Sequence, residues 1–277
     1  MIRIGDYNTL NVARSTSVGL FLDDGAGTEI LLPNKYVPEG IKRNEPIKVF
    51  CYLDHDERPI ATTLNPFVIR DGFAFLKVAE VNTIGAFLNW GLEKQLLVPF
   101  GEQQTRMELG LSYVIHCYLD EKTFRLVGSA KIDKFIKKKE ANYQINEEVQ
   151  LLIGRKTDLG WEAIINNTHK GLLFFSDVLW PIAIGDAFAG FIKIIREDGK
   201  IDLSMAPTGA KLLDISARKV LGALTSAGGF LALHDKSSPE EVRDKLRMSK
   251  KSFKKGIGIL YKQRKIELSD SGIRLKT

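Results

Sequence analysis

Three stretches of the chain repeat one pattern in different residues. The first runs from Leu10 to Leu22 and contains Gly19-Leu20-Phe21. The second runs from Leu76 to Leu88 and contains Gly85-Ala86-Phe87. The third runs from Leu151 to Ala163 and contains Gly160-Trp161. Each reads as an apolar strand, a short polar turn, and a glycine beside an aromatic residue. A period of roughly 65–75 residues is too long for a solenoid repeat and fits tandem small domains. The remaining strands repeat as well. Glu29-Ile30-Leu31-Leu32-Pro33 answers to Gln95-Leu96-Leu97-Val98-Pro99, and Phe50-Cys51-Tyr52-Leu53-Asp54 answers to His116-Cys117-Tyr118-Leu119-Asp120. Five short strands with uneven loops predict a small Greek-key barrel of the OB type in each module. The modules fall at 1–65, 66–133 and 145–206. Each is too small to bury a large core, so they are expected to lean on one another.

The segment 210–277 changes period. Ala210–Ala227 is helical in pattern, with Leu212, Leu213, Ile215, Val220, Leu221 and Leu224 apolar, and Gly228-Gly229 ends it. Phe230–Leu233 reads as a short strand. Ser238-Pro239-Glu240-Glu241 is a helix start, with a capping serine, proline in the first turn and acids at the positive end of the dipole. Ser249 caps a second helix over about 250–264. Ile266–Leu268 and Gly272–Leu275 pair as a hairpin. Helix, strand, helix, helix, hairpin is the order of a winged helix. The predicted fold class is mainly β: three tandem five-stranded barrels followed by an α+β winged-helix domain.

Charge separates the tail from the rest. The chain carries +6 overall, while residues 211–277 hold 16 Lys and Arg against 7 Asp and Glu, a balance of +9. A basic domain beside nearly neutral ones points to a polyanionic partner, most simply nucleic acid, with a plain solubility surface as the alternative. The run around Lys137-Lys138-Lys139 reads as a solvated connector. No apolar run approaches the length of a membrane span, so no membrane association is expected. Met1–Asp6 lacks the apolar core of a signal peptide, which predicts a cytoplasmic protein. Cys51 and Cys117 occupy equivalent strand positions and are read as buried thiols. The histidines are scattered and no Cys-x-x-Cys occurs, so neither metal nor cofactor is expected. No residues group into a catalytic constellation, and the chain is not expected to be an enzyme.

Gly85-Ala86-Phe87-Leu88, Gly171-Leu172-Leu173-Phe174-Phe175-Ser176 and Asp198-Gly199-Lys200-Ile201-Asp202-Leu203-Ser204 resemble strands of the S1 RNA-binding domain. Asn89–Pro99, Thr157–Trp161, Ile165-Asn166-Asn167 and Ile195–Leu203 together resemble the conserved virulence factor B family. That family has S1-like domains followed by a winged helix and is described as RNA-binding and regulatory in bacteria. The resemblance implies base-stacking aromatics on the second and third strands, with an aspartate and an arginine at the last hairpin near the phosphates. The matching positions are Phe21, Asp54 and Arg58 in the first module, and Phe87 and Asp120 in the second, with Arg125 one place off. In the third they are Phe174 and Lys200, with Trp161 one place off and Arg196 where the aspartate belongs. Leu32, Val98 and Phe174 stand where the third-strand histidine is usual.

Single-stranded nucleic acid is held by exposed aromatics under the bases and cations along the phosphates. Phe21, Phe87, Trp90 and Trp161 are the stacking candidates, each equally readable as core. Strand alternation requires one of Phe174 and Phe175 to be exposed. On the tail helix, Phe253, Ile257 and Leu260 share one stripe. Lys251, Lys255 and Lys262 lie opposite within roughly 40° of one another, flanked by Lys250 and Lys254. Such a face offers salt-sensitive, sequence-blind attraction to phosphates. Gly256 and Gly258 weaken the helix and allow close approach of backbone or phosphate. The expected partner is single-stranded RNA, most simply mRNA, for post-transcriptional regulation. A DNA-binding transcriptional regulator and a protein-interaction scaffold are the alternatives.

Overall fold

A computed structural model describes residues 1–137, 141–207 and 209–276, for 209–214 the backbone alone. Lys138, Lys139 and Glu140 of the charged connector and the side chains of Leu212 and Leu213 thus lie outside the described residues. The chain forms two compact units, Met1–Lys137 and Lys138–Thr277.

In the first unit, β1 (Asp6–Ser15), β2 (Gly19–Asp23), β3 (Glu29–Pro33), β4 (Pro46–Leu53) and β5 (Pro59–Thr62) close a barrel in the order β1-β2-β3-β5-β4. A second set repeats it: β6 (Phe73–Val81), β7 (Gly85–Asn89), β8 (Leu96–Pro99), β9 (Ser112–Leu119) and β10 (Leu126–Ser129). This sheet runs β10-β9-β6-β7-β8, with β8 and β10 adjacent but not joined by ladder hydrogen bonds. Barrel 2 is therefore closed by packing. A Cβ on Gly128 of β10 would lie only 2.8 Å from Val98 Cγ2 of β8. In the second unit, β11 (Glu148–Lys156), β12 (Gly160–Ile165), β13 (His169–Phe174), β14 (Ala187–Ile195) and β15 (Ile201–Ser204) close a barrel in the first order again.

The sequence repeat has a local cause. Leu10 and Val12, Leu76 and Val78, and Leu151 and Ile153 are buried at alternate places on the three first strands. That period of two fixes which face is core. Each first strand then carries a bulge at the same point, between Val12 and Arg14, Val78 and Glu80, and Ile153 and Arg155. The bulge re-aims the residues that follow it. Gly19, Gly85 and Gly160 are required by close approach. A Cβ there would meet the carbonyl oxygen of Leu32, Val98 or Leu173 at 2.1, 2.4 or 2.2 Å.

Barrels 1 and 2 share a core. Phe50 and Tyr52 of β4 pack with Val68, Trp90 and Leu92, and the Trp90 ring meets Phe50 edge-on at 5.8 Å. Burying a side chain such as Phe50 completely contributes about 1.5–3 kcal/mol, so the expected leaning of the modules is realised by aromatic packing. Cys51 and Cys117 are buried free thiols, and burial pushes both up to about 12.

The winged helix follows: α1 (Gly209–Ser226), β16 (Phe230–Leu231), α2 (Pro239–Leu246), α3 (Lys250–Lys262), β17 (Ile266–Ser269) and β18 (Gly272–Leu275). Its three strands run β16-β18-β17. Ser238 forms a full capping box: its hydroxyl accepts from the Glu241 amide at 3.1 Å, and the Glu241 carboxylate accepts from the Ser238 amide at 2.6 Å. Phe253, Ile257 and Leu260 of α3 join Val220 and Leu224 of α1 in the core.

Candidate nucleic-acid interface

The bulge and the glycine together aim one cross-strand pair outward in each barrel. The pairs are Arg14 with Phe21, Glu80 with Phe87, and Arg155 with Glu162. In barrel 1 the Arg14 guanidinium sits 3.7 Å from the centre of the half-buried Phe21 ring, held there by Glu29 at 2.8 Å. That cation–π contact covers one face of the predicted stacking residue. In barrel 2 Phe87 is also half-buried, and among the described residues no cation stands over it. In barrel 3 the aromatic position holds Glu162, bonded to Arg155 at 2.6 Å.

Trp161 therefore lies one residue off this face. Its register equivalents Leu20 and Ala86 point into their cores, and Trp161 packs partly against its own, with the Lys156 ammonium 5.5 Å from its ring. Trp90 is a clearer correction. It is 2% exposed, wedged beside Phe50 and Tyr52, and its Nε1 donates to the Lys94 carbonyl. It is core and presents no face to a base.

The third strands need a further correction. Gly19 pairs with Pro33, Gly85 with Pro99 and Gly160 with Phe174. Phe174 thus corresponds to Pro33 and Pro99, not to Leu32 and Val98, which are buried. Phe174 is half-buried, and Phe175 is the exposed member of the pair at 43%. Lys156 stands 5.7 Å from the Phe175 ring, and Arg196 stands 5.8 Å from that of Phe174. These groups surround the mouth of barrel 3, where a hollow of about 590 Å³ is lined by Phe174, Glu162, Arg196, Lys200 and Asp202.

The closing hairpins align by their backbone bonds. Asp54 N–H donates to Arg58 O, Asp120 to Arg125 O, and Arg196 to Lys200 O. Arg125 is therefore equivalent to Arg58, and its apparent offset comes from one extra turn residue. Their charges are internally matched. Arg58 donates to Asp54 at 2.8 and 3.0 Å and pairs with Asp56. Burial opposes ionisation of Asp54, but the Arg58 amide and guanidinium outweigh it and hold the carboxyl below its usual range. The Thr123 hydroxyl, at 2.6 Å, does the same for Asp120. Arg125 turns to Glu57 of barrel 1 at 2.9 Å, and Lys94 reaches Glu57 at 3.1 Å and the Asp54 carbonyl at 2.6 Å. The barrel 1 hairpin is thus clamped onto barrel 2. In barrel 3, Arg196 grips Asp202 and Lys200 bonds Asp198 at 2.7 Å.

The outer face of α3 is different. Lys251, Lys254, Lys255 and Lys262 are exposed, and among the described residues none is paired with a carboxylate. Gly256 and Gly258 divide between the two sides of the helix. A Cβ on Gly256 would lie 3.0 Å from the Ser216 carbonyl of α1, so this glycine lets the two helices cross closely. Gly258 faces open space and falls among the lysines.

Comparison with known proteins fits this architecture. The S1 domain profile matches residues 4–64, and that of the CvfB-like winged helix domain matches 218–275. The chain carries an S1 domain and a CvfB-like winged helix domain. Both are nucleic-acid-binding types. YitL of Bacillus subtilis (strain 168) is 26% identical over 96% of this chain and 91% of that protein. Conserved virulence factor B of Staphylococcus epidermidis (strain ATCC 12228 / FDA PCI 1200) is 25% identical over 98% of this chain and 94% of that protein. The resemblance to the conserved virulence factor B family therefore runs through nearly the whole chain. A crystal structure of a multidomain protein with nucleic acid binding domains from Streptococcus pneumoniae TIGR4 is 23% identical. It covers 99% of this chain and 98% of that one, at a TM-score of 0.42.

Beyond the S1 match at 4–64, barrels 2 and 3 repeat its strand order and bulge without repeating its side chains. Sequence reasoning missed Arg14, Glu80 and Arg155, which decide what each second-strand position can do. A signal for them exists: each stands five residues before Gly19, Gly85 or Gly160. Lys156, between Trp161 and Phe175, was also missed, because its two neighbours come from different strands. No helix among the described residues is long and apolar enough to cross a membrane.

Proposed function

We propose that the protein is a non-catalytic, cytoplasmic RNA-binding regulator that acts after transcription, holding single-stranded mRNA by its S1-type barrels and its basic winged helix. The unpaired lysine face of α3 carries this reading. Four exposed ammonium groups on one helix side attract a polyanion without regard to sequence. Single-stranded RNA is favoured over duplex because the barrels add aromatic groups at their surfaces, Phe21, Phe87, Phe174 and Phe175, which only unpaired bases can use. The lysine face contains no Asn, Gln or Arg to read base edges, which argues against sequence-specific duplex readout.

The test is an anisotropy titration of the full chain with single-stranded RNA, single-stranded DNA and duplex DNA at two salt concentrations. The reading predicts tightest binding to single-stranded RNA, weakening steeply with salt. Preference for duplex DNA would favour a winged-helix transcriptional regulator. Absence of binding to all three at low salt would leave the barrels as protein-interaction modules.

A further inference from the structure

The three outward cross-strand pairs are not equivalent, and the difference singles out barrel 2. Barrel 1 lays Arg14 over Phe21, and barrel 3 locks Arg155 to Glu162. Barrel 2 places a carboxylate, Glu80, beside an aromatic ring with no cation on it. Both side chains line a cavity of about 440 Å³ between barrels 1 and 2, rimmed by the exposed Ile84. That volume is within the usual range for small-ligand pockets. The other acids of the cavity are matched, Glu57 by Lys94 and Arg125, and Glu93 by Lys35. Among the described residues Glu80 forms no ion pair. It accepts only from Asn82 Nδ2, at 3.3 Å, while Asn82 is itself fixed by the Ile84 amide at 3.0 Å.

A ring wall with an unmatched carboxylate at its edge repels phosphate and suits a flat ligand that offers hydrogen-bond donors. An ionised carboxylate only accepts. Among the nucleobases, guanine alone presents two adjacent donors on its pairing edge, N1–H and the exocyclic amine. Adenine and cytosine place a ring-nitrogen acceptor beside their amine, and uracil flanks its single N–H with two carbonyls. We propose that Phe87 and Glu80 form a guanine-reading subsite, Phe87 stacking the base and Glu80 accepting from N1–H and the amine. This rests on the nucleic-acid reading above and gives barrel 2 a selectivity that the lysine face cannot supply.

The full chain is titrated with a labelled oligouridine, the same oligomer with one central guanosine, and a third with inosine at that place. Moderate salt weakens the contribution of α3. The guanosine oligomer should bind about ten-fold tighter than oligouridine, in keeping with the discrimination of a bidentate base contact. Inosine, which lacks the amine, should fall between them. Glu80 is exposed on β6, so Glu80→Gln should leave melting unchanged, keep oligouridine affinity within about two-fold and abolish the guanosine preference, because an amide offers one acceptor where two are needed. Glu80→Arg, which recreates the barrel 1 arrangement, should abolish it too. Equal binding of all three oligomers, or a preference that survives Glu80→Gln, overturns the guanine assignment alone. Binding to none of them overturns the nucleic-acid reading beneath it.

Discussion

The barrels and the winged helix both carry many cations but use them differently. On the barrels, Arg14, Arg58, Arg125, Arg196 and Lys200 each meet a carboxylate within 3.0 Å. On α3, Lys251, Lys254, Lys255 and Lys262 meet none among the described residues. A cation already paired gives little net attraction to a phosphate, because binding must first break or share its existing contact. The difference locates long-range attraction in the tail and leaves shape and base contacts to the barrels. It also explains why the S1-type hairpin of barrel 1 serves here as a clamp on barrel 2.

The largest expected effect tests the helix side. Replacing Lys251, Lys255 and Lys262 together by Glu should weaken single-stranded RNA binding at low salt by at least about ten-fold, since three attractive charges become repulsive. Anisotropy measures this, and circular dichroism checks that the domain stays folded. A loss under two-fold would erase the contrast between the regions.

The two glycines sharpen the contrast within α3 itself. Gly256→Ala pushes a methyl group to 3.0 Å from the Ser216 carbonyl and should destabilise the winged helix by about 1–3 kcal/mol despite the better helix former. Gly258→Ala meets open space and should stabilise the helix by up to about 1 kcal/mol. Thermal melting decides both. Opposite signs are required if one side of α3 is docked and the other free.

Acid should weaken barrel 2. His116 is buried and stacked at 4.0 Å on Phe135, with Phe73 at 4.5 Å on its other side. Burial holds its imidazole below the usual 6.5, with Asp71 acting weakly the other way. The unfolded chain takes up a proton as pH falls through about 6.5, while the folded chain resists it until lower pH. This contribution to stability is therefore complete above that range and declines below it. His116→Phe keeps the stack and should flatten the fall in melting temperature between neutral and mildly acidic pH. An unchanged pH profile would contradict the assignment.

The smallest effect belongs to the barrel hairpins. Arg58 is exposed and already held by Asp54 and Asp56. Exposed pairs of this kind contribute about 0–1 kcal/mol. Arg58→Ala should change RNA affinity less than any of the α3 lysines, and a larger loss than for Lys255→Ala would reverse the comparison.

Much of the fold is legible in the sequence because its signals are local. Alternation at Leu10 and Val12, the capping box at Ser238 and Glu241, and the stripe of Phe253, Ile257 and Leu260 each act within a few residues. The site is less legible because it depends on register. Trp90 looks like a platform beside Gly91, but burial is decided by Phe50 and Tyr52, some 40 residues away. Trp161 looks like the equivalent of Phe21 until the Gly160–Phe174 pairing shows Glu162 there instead. Arg125 looks misplaced because its hairpin is one residue longer. The open edge between β8 and β10 has no sequence mark beyond Gly128.

The central claim is that α3 supplies the electrostatic attraction and the barrels do not. It is tested most directly by the salt dependence of single-stranded RNA binding, compared between the full chain and its Lys251→Gln, Lys255→Gln, Lys262→Gln variant. Each phosphate contact adds about 0.7 to the slope of log affinity against log salt for a single strand. The account predicts that the variant's slope is shallower by about 2. An unchanged slope would place the phosphate contacts on the barrels and contradict it.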